Sequence, residues 1–372
     1  MMRAAQILRL LILLLAVSAC TDRSFTPVLP EAKTVGINKT IFVGSTRGEE
    51  PNGTFGFARS DRLHHLELTV SIPPAHTPGQ LKFGYATPDP RRQFTLADQR
   101  VFSSGTEMQA RLKQALTRLN PAERDITVFV HGYNATQNET AFRAAQLAHD
   151  IRLPGEVVIY SWPSRGKALA YAYDGDSMLF ARDGLERLLD ELSAVGARRI
   201  VLVAHSMGSA LVMETLRQME IATSGRARRL LSGVVLISPD LDVEVFRSQF
   251  QRLNSPPEPF VLFVSRKDKV LNLSARLRGT ATQSRLGNLE NAALVADLPV
   301  TVVDATEFSD GAGSSHFVAA TSPALIALLI RAGNVNQTFK RESITLTSLI
   351  TGRPETNSGE PLAIQLKRAE ER

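Results

Sequence analysis

Ser206 lies in AHSMGS (204–209), where a strand-like apolar run, IVLVA (200–204), passes directly into small residues and then apolar positions at helical spacing. A serine on so sharp a strand-to-helix corner is lifted clear of its neighbours. The helix after it also aims its N-terminus at whatever the hydroxyl meets. Such a corner suits nucleophilic attack on a carbonyl carbon. The pentad is G-x-S-x-G with Ala204 in place of the first glycine, and Gly208, Ser209 and Ala210 keep the corner narrow. The plainer reading of these residues is a helix N-cap serine following a buried strand.

A nucleophilic serine needs a base, an acid that orients the base, and donors for the developing oxyanion. Among the seven histidines, His316 in DGAGSSHF (310–317) alone follows the last strand-like run, as the chain order serine, acid, histidine requires. His64, His65, His76 and His149 lie on earlier strands, turns or helices, and His205 adjoins the serine itself. For the acid we expect Asp268, just past the run FVLFVS (260–265), with Asp240 in LISPDLD (236–242) as the alternative. Asp304, which ends the last strand-like run, is a weaker option. Either main candidate could instead be an ordinary turn or cap aspartate. The oxyanion donors are expected to be the backbone N–H groups of Tyr133, in the turn FVHGYN (129–134), and of Met207. Gly132 would let that turn approach closely, although a His-Gly pair also serves as a simple strand exit. Trp162 in YSWPSRG (160–166) reads equally as pocket lining or as core.

These residues need a scaffold that brings the ends of several strands together. Runs at 126–130, 156–162, 200–204, 233–238, 260–265 and 300–305 are continuous in Val, Ile and Leu, as suits strands covered on both faces. Helical spacing fills gaps between them, at 141–151, 177–192 and 211–221. Further strands are expected at 40–44 and 66–72. Strands separated by helices imply a doubly wound, mostly parallel α/β sheet over residues 39–333. Ligands of such sheets bind beyond the carboxyl ends of the strands, where Ser206 lies. Residues 334–372 read as a loose tail.

The N-terminus carries Arg3 and Arg9 around an apolar stretch that ends in small residues before Cys20. It falls well short of the roughly 20 apolar residues a bilayer-spanning helix needs, so residues 1–19 read as a signal peptide. VSAC (17–20) resembles a bacterial lipoprotein signal. That resemblance implies an acylated Cys20, attachment to the cell envelope and, with Thr21 next, the outer membrane facing the periplasm. An ordinary cleaved signal is the alternative. Residues 20–38 then read as a tether. Cys20 is the only cysteine among 372 residues, so no disulfide can form within the chain. A net charge of +6 without a clustered basic stripe argues against nucleic acid as a partner. No metal-ligand spacing and no glycine-rich phosphate loop stands out, and no cofactor is expected.

The motifs FVHGYN, YSWPSRG, AHSMGS, LISPDLD, SRKDKVLNLS (265–274), SRLGN (284–288) and SSHF (314–317) together resemble the α/β-hydrolase superfamily. Within it they resemble a bacterial esterase/lipase-like branch whose function is largely undefined. VGSTR (43–47) and VSIPPAH (70–76) look like that branch's opening strands. The resemblance implies Ser206 as nucleophile, Asp268 as acid and His316 as base. The expected activity is hydrolysis of a small-molecule or lipid ester. A peptidase with the same triad, or an envelope-anchored scaffold that keeps the fold without chemistry, are the alternatives.

Overall fold

The computed structural model describes residues 23, 25–167, 170–268, 270–271, 274–275, 285–288, 292–306 and 363–365. Cys20 and His316 therefore lie outside the described residues, as does most of the expected tail.

The chain opens on three long strands, β1 (Ile37–Glu49), β2 (Phe55–Ile72) and β3 (Thr95–Phe102), paired antiparallel in that order. Alternation of helix and strand then begins. Helix α1 (Gly105–Thr117) leads to β4 (Asp125–Val130), α2 (Gln137–Asp150) to β5 (Glu156–Ser161), and α3 (Tyr171–Ser193) to β6 (Arg199–His205). Helices α4 (Met207–Ala222) and α5 (Arg226–Leu230) precede β7 (Gly233–Ile237), and α6 (Val243–Gln251) precedes β8 (Phe260–Val264). The sheet ends with β9 (Thr301–Asp304) and β10 (Ala363–Gln365). The strand order is β10-β9-β8-β7-β6-β4-β5-β1-β2-β3. Every pairing from β10 across to β1 is parallel, which makes the sheet mixed but mostly parallel.

The strand sequences explain which faces are covered. On one face Phe42, Val128, Val158, Leu202, Leu236 and Leu262 join residues of α1, α3, α4 and α6 in one core cluster. On the other, Ile41, Val43, Phe129 and Ile159 join the alanine-rich stripe of α2, from Ala141 to Ala148. Consecutive strand residues thus enter opposite cores, as a period of two requires. Every residue of β4 is buried, which accounts for its continuous apolar run. Along β6 the alternate residues Val201, Val203 and His205 are only half-buried among the described residues.

Two expectations need correction. Residues 25–36 do not behave as a tether. Val28 bridges to Leu96 on β3, the Leu29 N–H donates to the Leu96 carbonyl at 2.8 Å, and a 3-10 turn (Pro30–Thr34) buries Ala32. The edge of β3 offers unpaired backbone groups, and a chain with Pro27 and Pro30 can cover them without continuing as a strand. The tail likewise contributes β10, which pairs in parallel with β9 at Ala363–Val302 through Gln365–Asp304. Among the described residues no helix is long and apolar enough to cross a membrane.

Candidate active site

The chain runs from β4 to β5 on one side and then returns past β4 to β6, so the direction of winding reverses between β4 and β6. A crevice opens at the carboxyl ends of strands at such a switch point. Val130, the last residue of β4, pairs with Ala204 near the end of β6, so the turn after β4 stands beside Ser206.

Ser206 has φ 53° and ψ −124°, a backbone conformation that a residue with a Cβ rarely adopts. Conformations of this kind cost about 1–3 kcal/mol and persist only where surrounding structure imposes them. That structure is visible. The Ser206 N–H donates to the Ile237 carbonyl at 3.0 Å, as though β6 continued one residue further against β7. The Ser206 carbonyl in turn accepts from Ser209 at 2.9 Å and from Asp240 at 3.2 Å. Ser206 occupies the N-cap position of α4, yet its side chain accepts no capping hydrogen bond. The plain cap reading therefore fails on geometry. The backbone bends to present this hydroxyl, and the hydroxyl does nothing for the helix.

The His131–Asn134 turn presses against this corner. A Cβ added to Gly132 would lie 2.8 Å from the Ser206 Cβ, and one added to Gly208 would lie 2.3 Å from the His131 carbonyl oxygen. Gly208 is thus required by backbone approaching backbone, and Gly132 by the close approach of the His205 ring and the Ser206 Cβ. The turn is held from behind by Trp162, which is fully buried, stacks on His131 at 4.8 Å and donates its indole N–H to the His131 carbonyl at 2.7 Å. Of the two readings of Trp162, core packing is the one observed.

His131 itself is no base. Burial, together with the nearby Arg47 charge, lowers its pKa to about 3. The ring nitrogens sit 2.8 Å from the Gly132 carbonyl and 3.0 Å from the Trp162 carbonyl. Other described histidines are committed elsewhere: His64 to Ser60, His65 to Glu191 at 2.7 Å and His76 to Asp150 at 2.6 Å. His205 places its Nδ1 against Gly132.

The two candidate acids differ in their surroundings. Asp240 accepts from the Tyr171 hydroxyl on one oxygen and the Ser274 hydroxyl on the other, both at 2.6 Å, and faces the buried Arg285 at 3.5 Å. Asp268 is fully buried just beyond β8 and accepts the Val270 and Leu271 N–H groups on Oδ1 at 3.0 and 3.1 Å. Two backbone donors on one oxygen fix the orientation of that carboxylate. Asp304 accepts from Thr306 and pairs with Arg266 at 3.2 Å. Among the described residues no group of His, Cys, Asp and Glu side chains stands ready to hold a metal ion.

Several residues that build the site were not legible as functional. Arg47, at the end of VGSTR, is buried and donates to the Ser161 hydroxyl and to the Gly56, Ser164 and Ala135 carbonyls at 2.8–2.9 Å. Burial lowers its pKa to about 10 despite the attraction of Asp174 and Glu139. Asp174, in the first turn of α3, accepts from the Ser164 hydroxyl at 2.5 Å, the Arg165 N–H at 2.7 Å and the Asn134 N–H at 3.3 Å. Its burial raises its pKa, and these donors oppose the rise. Together Arg47 and Asp174 lock the loop after β5 to the turn after β4. Tyr171 packs edge-on against Tyr133 at 5.3 Å and reaches Asp240 with its hydroxyl.

Residues 104–332 match the family model described as "Alpha/beta hydrolase of unknown function (DUF900)". The chain belongs to this α/β-hydrolase family. Solved structures similar to it include Aspergillus fumigatus lipase B, at 13% identity over 55% of this chain and 51% of that one, with a TM-score of 0.35. Thermogutta terrifontis esterase 2, phosphoramylated by tabun, is 11% identical over 78% of this chain and 95% of that one, also with a TM-score of 0.35. This chain spans about half the length of the lipase. No curated protein matches. Membership of this hydrolase family supports hydrolase activity, on the α/β-hydrolase fold whose strand order and helices are given above.

Proposed function

We propose that this α/β-hydrolase family member is a serine hydrolase of carboxylic esters, held at the cell envelope through an acylated Cys20. The reading rests above all on Ser206, whose backbone is strained and whose hydroxyl is not spent on capping the helix it begins. In the proposed reaction His316, the histidine placed after the acid in chain order, takes the Ser206 proton as Oγ attacks the ester carbonyl. Asp268 orients the imidazole and stabilises its charged form. The Tyr133 and Met207 N–H groups receive the negative charge that develops on the carbonyl oxygen. Collapse of the tetrahedral species expels the alcohol, which takes the proton from the imidazolium. Water, deprotonated by the same histidine, then releases the acid and regenerates the serine. The proximity of the Gly132 turn to Ser206 supports the Tyr133 assignment. The first helical N–H groups lack intrahelical acceptors, which supports Met207.

The test is covalent labelling of the purified chain by a fluorophosphonate, mapped by mass spectrometry, beside hydrolysis of acyl esters of graded length. Ser206 should carry the label, and Ser206→Ala should lower kcat by on the order of 10⁶-fold if the residues act as a unit. A loss of less than about tenfold would remove the nucleophile assignment. Well-folded protein that takes no label would instead be a scaffold on a hydrolase fold.

A further inference from the structure

The turn that supplies the Tyr133 N–H is not self-supporting. Asn134, the residue after it, has φ 58°, in the left-handed region that asparagine tolerates better than most residues. Something outside the turn has to hold that geometry. One part is already described: the Asn134 N–H donates to Asp174. The other comes from the far N-terminal end of the described chain.

Arg23 reaches this turn with two of its guanidinium nitrogens and uses all three to hold itself in place. Its Nη1 donates to the Asn134 side-chain oxygen at 2.8 Å and to the Gly166 carbonyl at 2.6 Å. Its Nη2 donates to the Asn134 carbonyl at 3.1 Å and to Glu139 Oε2 at 2.8 Å. Its Nε donates to Glu139 Oε1 at 2.9 Å and to the Tyr85 hydroxyl at 3.2 Å, and that hydroxyl in turn donates to Glu139 at 2.5 Å. Burial opposes the charge on Arg23, yet the Glu139 carboxylate and Tyr85 hold its pKa above the ordinary value. Glu139 is itself fixed by the capping box of α2, in which its Oε2 accepts the Thr136 N–H at 3.1 Å. The guanidinium therefore hangs from a rigid helix end and grips Asn134 at two atoms. The peptides on both sides of Asn134 are pinned, one through its N–H by Asp174 and one through its carbonyl by Arg23. The Gly132–Tyr133 peptide, whose N–H is the oxyanion donor, comes immediately before them.

We propose that Arg23 is a positioning residue for the oxyanion turn, so that the N-terminal segment completes the active site from outside the α/β-hydrolase sheet. The proposal rests on reading the Tyr133 N–H as an oxyanion donor. A surface ion pair with no further role would also produce these hydrogen bonds, and such pairs contribute little. The two accounts separate by experiment.

The experiment compares full-length wild type with Arg23→Ala and Arg23→Lys. It measures kcat and KM on a soluble acyl ester, the rate of fluorophosphonate labelling, the melting temperature and the fluorescence emission of Trp162. Trp162 is the only tryptophan in the chain, and its indole is bonded to the same turn at His131. Arg23→Ala should lower kcat by about 10²-fold, the loss that an ångström-scale misplacement of a reacting or stabilising group can cause, with KM within about twofold. Trp162 emission should shift. Ethylguanidinium added to Arg23→Ala should restore part of kcat and reverse the emission shift, because it can refill the vacated fork. Lysine, lacking the planar fork, should rescue poorly. The proposal is overturned if Arg23→Ala keeps wild-type kcat and emission. It is equally overturned if the lost kcat follows melting temperature and ethylguanidinium restores nothing. If wild type itself neither hydrolyses nor labels, the hydrolase reading fails. The emission shift and its reversal then decide whether Arg23 holds the turn.

Discussion

Ser206 combines a left-handed backbone with a side chain that forms no capping bond, and Gly132 and Gly208 are the neighbours that make this affordable. A methyl at either glycine would have to displace backbone or the corner itself. We expect Gly132→Ala to reduce labelling of Ser206 by at least about tenfold, since an ångström-scale shift of reacting groups costs that much or more. Retained labelling speed would mean that the turn is not held against the serine in solution. His131 makes a separate prediction. Its pKa is depressed from 6.5 to about 3, so the native state binds fewer protons than the unfolded chain in between. The stability it contributes is complete above its unfolded pKa and is lost as pH falls towards the folded one. Urea unfolding should show a loss on the order of 3 kcal/mol from this group between about pH 7 and pH 4, at about 1.4 kcal/mol per unit. His131→Gln should flatten that part of the profile, and an unchanged slope would place the acid sensitivity elsewhere. At this scale Ser206, Gly132 and both acids stood out in the chain because each follows an apolar run. Arg47 and Asp174 did not. A lone arginine in VGSTR and an aspartate in YAYDGD look like surface charge, and only long-range contacts with Ser164 and Ala135 reveal otherwise.

Among the elements, α2 does two jobs. Its inner stripe of Ala141, Ala144, Ala145 and Ala148 lets it lie close to the sheet, while its first turn anchors the site through Glu139. The reciprocal capping box satisfies two N–H groups that a helix start otherwise leaves unpaired. Thr136→Ala should destabilise the protein by about 1 kcal/mol, read as a lower urea midpoint with unchanged slope. Because Glu139 would then lose part of its restraint, kcat should fall further than Thr136→Ser reduces it. Equal activity in the two variants would separate the cap from the site. The central parallel strands were readable from their unbroken apolar runs because both their faces are covered. Strand β3, TLADQRVF, was not, since its outer half is exposed and polar. Strand β10 is three residues within a stretch of mixed charge, too short for any period to show. The stretch before β1 misled for a related reason: prolines and polar residues suit a tether and a sheet-edge cover equally well.

Considered as a whole, the molecule is a sheet whose two edges are finished by segments from the two ends of the chain. Residues 25–36 cover part of β3, and β10 pairs with β9. Removing 25–36 should lower the melting temperature by several degrees, at about 2–4 °C per kcal/mol for a domain this large. It should also promote concentration-dependent association through the bared edge, visible in size-exclusion profiles. A truncated chain that stays monomeric with an unshifted melt would show that the cover is dispensable. The docking of Arg23 has one more consequence, for orientation. Two residues, Thr21 and Asp22, lie between it and Cys20, so the three Cα–Cα steps make a leash of at most roughly 11 Å. Were fatty acyl groups attached there, the headgroup layer could not lie far from the rim that carries Tyr133. The site would then sit within reach of the lipid surface, and an ester partitioned into that surface would meet Ser206 without a long diffusion path.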